Sequence, residues 1–178
     1  TFGQIIEQAG NTKLAVSAYN EFGKIFSVSS DQQMANYGEK MTGIARRLEL
    51  PGNQMKIEGV TTTGESFDWK SYRGKVVLVD YWATWCGPCS QELPNVVENY
   101  GKYHEKGFEV VGISLDSDPN RLDGFLRKQE IPWTTLFEAG AGWDHPMAKY
   151  YGVMGIPKTI LVDRDGKVIA MDVRGGEL

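Results

Sequence analysis

Cysteine and histidine are scarce in this chain, with two of each among 178 residues. His104 and His145 lie far from each other and from the cysteines, without ligand spacing, so a four-donor zinc site has little to draw on. A hydrophobic fraction of 41% builds a core without covalent staples, which excludes a disulfide-held miniature fold. Basic blocks are missing beyond the pair Arg46-Arg47, and the net charge is −4, which argues against a nucleic-acid partner. No apolar run approaches the roughly 18 residues of a membrane span, and no signal peptide, repeat or low-complexity segment is visible. The first residue is Thr1 and not Met, which reads as a processed or trimmed chain and leaves the compartment open.

Both cysteines fall in Trp85-Cys86-Gly87-Pro88-Cys89, directly after the apolar run Val76-Val77-Leu78-Val79. Two sulfurs separated by two residues, the first at the mouth of a helix and the second one turn inside, can close a small disulfide ring. The first sulfur then meets the unpaired N–H groups and the positive end of the helix dipole, which stabilises its thiolate. A free thiol titrates near ~8.5, and a CxxC thiol in this setting falls to about 7 or lower. Pro88 suits the first turn, where its missing N–H costs nothing. Redox exchange is the reading favoured here over a structural zinc ligand pair or an inert disulfide.

Residues 1 to about 50 read as two helices. Leu14, Ala18, Phe22 and Ile25 form one apolar stripe, and Met34, Tyr37, Met41, Ile44 and Leu48 form another. Ser30 with Gln33 offers a capping box for the second helix, and the pair is expected to form an antiparallel hairpin whose stripes pack within the hairpin or on the following domain, a partner-docking face being the alternative. Leu50-Pro51-Gly52-Asn53 stops it, placing a boundary between a 1–52 helical extension and a 53–178 domain. A short strand pair is expected around Thr63-Gly64-Glu65. Residues 75–83 and 108–114 read as buried strands, with a long helix between them that starts at the cysteines, is kinked at Pro94 and ends near Gly107. Asp118-Pro119 starts another helix, residues 133–137 a short strand, and residues 146–151 a helix. Strands at 159–162 and 167–173 flank the turn Asp163-Arg164-Asp165-Gly166.

The run from Val77 to Cys89, Pro94 behind it and Gly155-Ile156-Pro157 near the end resemble the thioredoxin superfamily. More narrowly, Gly74-Lys75-Val76-Val77-Leu78-Val79, Glu92-Leu93-Pro94 and Phe108-Glu109-Val110-Val111-Gly112-Ile113-Ser114 resemble the TlpA/ResA-like branch, related to the AhpC/TSA redoxins. The resemblance covers residues 55–178. It implies an α/β thioredoxin-like fold, a central mixed sheet flanked by helices, with an inserted αβ unit and the helical hairpin in front. It also implies a closing helix after residue 173, for which the chain has no room before Leu178. Missing residues, the hairpin or a second subunit are then expected to cover the sheet face over Val111 and Leu161.

The implied activity is thiol-disulfide oxidoreduction with protein thiols and disulfides, leaning to the reducing direction, with the Cys86–Cys89 disulfide and no cofactor. Cys86 is the expected exposed nucleophile and Cys89 the resolving thiol. Asp80 stands where thioredoxins carry a buried acid, and burial should raise its pKa toward use as a base for Cys89. Glu92 stands where ResA-like proteins use a glutamate in proton handling. Pro157 matches the family's cis-proline, with the Ile156 backbone and Trp85 placed for substrate and Trp82 packed beneath the motif. Lys158 departs from the usual threonine and points to solvent or adds a cation to the site. Trp143, in a glycine-rich loop, either lines a substrate groove or packs on the sheet edge. The branch implies an extracytoplasmic place, periplasmic or anchored through a segment not in this chain, with the cytoplasm left open. Apocytochrome c, a copper-site protein or a general periplasmic protein would each fit as partner. Two other readings stand beside this one: a redox-fold scaffold whose helices recruit a partner, and a peroxiredoxin. The latter needs a threonine where this chain has Ala83.

Overall fold

The computed structural model describes residues 11–178. It divides into two compact units, one formed by residues up to Leu50 with Ala148–Met154, the other by Pro51–Met147 with Gly155–Leu178.

In the larger unit five strands form one mixed sheet in the order β3-β2-β1-β4-β5. The strands are β1 (Val76–Trp82), β2 (Phe108–Ser114), β3 (Thr134–Phe137), β4 (Lys158–Val162) and β5 (Val168–Met171). β1, β2 and β3 run parallel, whereas β4 is antiparallel to β1 and β5 to β4. Val77, Leu78, Val79 and Tyr81 of β1 are all buried, which explains why this strand reads as one continuous apolar run. Parallel neighbours need crossovers, and the connections supply helices. Gly87–Tyr103 links β1 to β2, and Pro119–Lys128 links β2 to β3. The first packs Leu93, Val96, Tyr100 and Tyr103 over Leu78 and Val110. The second sets Phe125 against Trp82, ring centroids 5.4 Å apart. Trp82 therefore packs against the helix Pro119–Lys128.

The parallel arrangement carries the C-terminal ends of β1 and β2 to the same edge, the usual place for chemistry in such sheets. The helix after β1 runs on through Pro94, and a 3-10 turn over His104–Lys106 closes it at Gly107, whose φ of 88° needs glycine. Asp163 Oδ1 accepts the N–H groups of Asp165 and Lys167 in the β4–β5 turn, as its composition implies. Val111 is fully buried and Leu161 half-buried, the latter packed with Ala170 and Leu178 on the Leu78 cluster.

The strand pair expected near Thr63 is reduced to a single bridge, Val60 to Ser66, followed by a 3-10 turn over Trp69–Tyr72. Thr61 Oγ1 accepts the N–H groups of Thr63 and Glu65, a local turn that competes with a ladder. Thr61 itself bridges to Leu136 of β3.

The smaller unit holds α1 (Thr12–Ser27) and α2 (Gln32–Leu48); the later helices are numbered α3 (Gly87–Tyr103), α4 (Pro119–Lys128) and α5 (Pro146–Tyr150). The hairpin forms through only part of the expected stripes: Ile44 is in its core, and Ala18, Met41 and Leu48 pack against it. Ala15, Tyr19 and Gly23 face Gly38, Ile44 and Ala45, while Leu14, Phe22, Ile25 and Met34 remain exposed. The reason is steric. A Cβ on Gly38 would lie 2.4 Å from the backbone N of Ser27, and one on Gly23 would lie 2.5 Å from Thr42 Oγ1. Backbones this close select small residues for the interface and rotate the larger apolar ones outward. The cap also differs: Asp31 and not Ser30 caps α2, its Oδ1 accepting Gln33 N–H at 2.8 Å and Met34 N–H at 3.3 Å. The segment Ala148–Met154 joins this unit by the same device, since a Cβ on Gly43 would meet Gly152 N at 2.5 Å. Arg46 donates to the Tyr150 carbonyl and lies 3.9 Å over its ring.

Candidate active site

Cys86 and Cys89 form a disulfide with an S–S distance of 2.05 Å and Cα atoms 5.2 Å apart. Cys86 is the N-cap of α3, and its Sγ accepts the Cys89 backbone N–H at 3.2 Å. Exposure does not separate the two sulfurs, because Cys86 is 5% and Cys89 7% exposed. The expectation of an exposed Cys86 is thus corrected for the oxidised state. What distinguishes Cys86 is its place at the helix N-terminus, where an anionic sulfur is stabilised.

Asp80 lies on β1 between Gly112 of β2 and Thr159 of β4. The residue keeps some exposure, but Oδ1 is shielded from solvent and has no hydrogen-bond partner. Burial therefore pushes its carboxyl up to about 7, with Arg174 working to lower it and Glu92 to raise it. Glu92, half-buried on α3, accepts Gly175 N–H at 2.8 Å and Asn95 Nδ2–H at 2.6 Å through Oε1. Asp80, Glu92 and Arg174 thus form one electrostatic group, and Glu92 is anchored to the chain after β5.

Ile156–Pro157 is a cis peptide, Pro157 is buried, and the Pro157 carbonyl accepts a hydrogen bond from Arg174. Lys158 supplies no free cation: its Nζ pairs with Asp172 at 2.7 Å. Trp85 is 45% exposed and Trp143 41%, with ring centroids 6.0 Å apart, so the glycine-rich loop places a second indole beside the cysteine motif. Among the described residues no group of three or more His, Cys, Asp or Glu is arranged to hold a metal ion. His145 is buried with Nδ1 accepting Met147 N–H at 3.2 Å, and desolvation lowers its pKa to about 4.

Three residues were not singled out by sequence. Arg174 is one; the others are Thr84 and Asp116, joined by hydrogen bonds at the edge where β1 and β2 end. The available signal for Asp116 was an acid directly after the buried run Val110 to Leu115, at the end of a central parallel strand.

The thiol-disulfide oxidoreductase ResA of Bacillus thuringiensis subsp. konkukian is 33% identical over 112 residues, covering 63% of this chain and 62% of that protein. The thiol:disulfide interchange protein HelX of Rhodobacter capsulatus is 35% identical over 96 residues, 54% of this chain and 51% of its own length. The chain thus spans less than two thirds of the length of these curated relatives. Among solved structures, the thioredoxin domain of a thiol-disulfide oxidoreductase from Bacteroides vulgatus aligns with a TM-score of 0.64 at 29% identity, covering 72% of this chain and 91% of that one. The match to the Redoxin family runs over residues 38–177, from within α2 through the sheet and the cysteine motif. With its mixed sheet, N-capping cysteine and thioredoxin-like neighbours, this chain belongs to the redoxin family.

Proposed function

We propose that this chain exchanges its Cys86–Cys89 dithiol and disulfide with disulfides of partner proteins, acting as the reductant. The observation that carries the reading is Cys86 as N-cap of α3, with its Sγ already receiving a helix N–H. In the dithiol form the Cys86 thiolate attacks one sulfur of a partner disulfide, forming a mixed disulfide and releasing one partner thiolate. Cys89 then gives its proton to a base, and its thiolate attacks Cys86 Sγ. The second partner thiolate leaves, so the partner gains two electrons and Cys86–Cys89 becomes the disulfide. Asp80 is the proposed base, since a carboxyl near 7 is half-ionised at neutral pH. Glu92 contributes by raising that value, and Arg174 restrains it.

Trp85, Trp143 and the Ile156–Pro157 backbone would line the approach of the partner strand. A dithiol reductant must regenerate the site. The names of the relatives, a thiol-disulfide oxidoreductase and a thiol:disulfide interchange protein, favour a disulfide-bearing partner. The resemblance to the TlpA/ResA-like branch supports an extracytoplasmic protein as that partner, apocytochrome c being one such substrate. Equilibrating the couple with glutathione and following reduction of insulin tests the reading. A reductant lies well below the glutathione couple and reduces insulin at a rate lost in Cys86→Ser. A couple more oxidising than glutathione would reverse the direction, and no insulin reduction by the dithiol form would remove the activity.

A further inference from the structure

Leu115 and Asp116 extend β2 past its last paired residue, and Asp116 is 1% exposed. A carboxyl so placed requires partners, and most of them come from the loop that carries the cysteine motif. Asp116 Oδ2 accepts the Thr84 N–H at 2.9 Å, and Oδ1 accepts the Thr84 hydroxyl. Ser114 Oγ donates to Oδ2 at 2.9 Å and accepts Asp116 N–H at 3.1 Å, which holds the carboxyl from its own strand. Next to it Leu115 N–H donates to the Trp82 carbonyl at 2.8 Å. The loop from Trp82 to Cys86 is therefore fastened to the end of β2 at three atoms: Trp82 O, Thr84 N and Thr84 Oγ1. Cys86 N–H closes it by donating to the Ala83 carbonyl at 3.1 Å. Cys86 follows Thr84 by two residues, and the helix N-terminus stabilises an anion only within its first turn. A loop free to shift would carry the sulfur out of that range.

We propose that Asp116 is a positioning residue of the thiol site, holding Cys86 Sγ at the N-terminus of α3 through its hydrogen bonds to Thr84. The inference deepens the exchange reading and rests on it. Thr84→Val removes the hydroxyl bond and keeps Asp116, Asp116→Asn removes an acceptor, and Thr84→Ser keeps the hydroxyl. Each full-length variant is reduced and reacted with iodoacetamide at pH 7, with first alkylation followed by mass spectrometry and unfolding by urea melts. Thr84→Val is expected to slow alkylation about fivefold, and Asp116→Asn at least as much. Thr84→Ser is expected to return to the wild-type rate, which a role in fold stability alone would not predict when the melts coincide. An unchanged rate in folded Thr84→Val overturns the proposal. So does faster alkylation in Asp116→Asn, which would make its charge and not its placement the acting property. If Asp116→Asn does not fold, the Thr84→Val and Thr84→Ser pair decides alone. Alkylation needs no partner protein, so loss of insulin reduction with an intact Thr84 effect would refute the exchange reading and leave this one standing.

Discussion

Asp80 and Thr159 are direct cross-strand partners in the β1–β4 ladder, which places the acid two residues along the sheet from the cis Pro157. One strand pair therefore links the acid, six residues before Cys86, to the loop that faces the partner in the proposed reaction. The same ladder fastens the chain after β5, because Thr159 Oγ1 donates to the Val173 carbonyl at 2.8 Å. Arg174, the next residue, reaches the Pro157 carbonyl.

Cys86 is expected to be the attacking thiol, since only its sulfur caps α3. Incubated with a disulfide-bearing protein, reduced Cys89→Ser should accumulate a mixed disulfide visible on a non-reducing gel, and Cys86→Ser should not. The reverse pattern would exchange the two roles.

The pH dependence of stability should be nearly flat between about 4 and 7, because two buried groups oppose each other. Asp80 titrates near 7 when folded against an ordinary 3.8, so the folded chain holds a proton the unfolded one releases, and stability falls as pH rises through that window. His145 titrates near 4 against 6.5, so stability falls as pH drops through its own window. Asp80→Asn should be more stable than wild type at pH 8, on the order of 2–4 kcal/mol, and similar to it at pH 4. The variant should also lose stability below pH 6.5, exposing the histidine, and should resolve mixed disulfides more slowly near neutral pH. Urea melts at pH 4, 6 and 8 check the stability arm; equal midpoints at pH 8 would show that the acid carries no burial penalty.

Arg174 lowers the Asp80 pKa, so Arg174→Gln should move the midpoint of mixed-disulfide resolution to higher pH. Arg174→Lys keeps the charge and should move it less. A stopped-flow pH profile of resolution reads both, and coincident profiles for wild type and Arg174→Gln would remove the arginine from the electrostatics.

Gly38→Ala should loosen the helical hairpin by about 1–3 kcal/mol, because the added Cβ meets backbone at 2.4 Å and has no flexible neighbour to displace. Hydrogen exchange should rise in α1 and α2 and stay constant in β1 and β2. Unaltered protection in both helices would mean that they have room to separate.

Much of the redox unit is legible because each element carries its own local signal. Val76 to Trp82 is apolar on both faces, Asp118-Pro119 marks a helix start, and Asp163 to Gly166 marks a turn, all observed where those signals lie. The hairpin helices were legible as helices, and by face at Met41, Ile44 and Leu48, but most of the first helix's contact was not, since glycine carries no hydrophobic weight and yet Gly23 and Gly38 sit at the contact. The stripe through Leu14, Phe22 and Ile25 followed size, whereas the contact followed closeness of approach.

The sequence by itself determined the chemistry: two cysteines at CxxC spacing after a buried strand, with a proline in the first helical turn, place a sulfur at a helix N-terminus whatever surrounds it. Only the tertiary structure decided what surrounds it. The Asp116 clamp joins residues 32 apart in the chain, and Glu92 is tied to Gly175 across 83 residues. The raised pKa of Asp80 likewise depends on which groups the fold brings near. Local patterns encode dihedrals and faces, but hydrogen-bond partners and local dielectric are properties of segments distant in sequence, which meet only when the sheet closes.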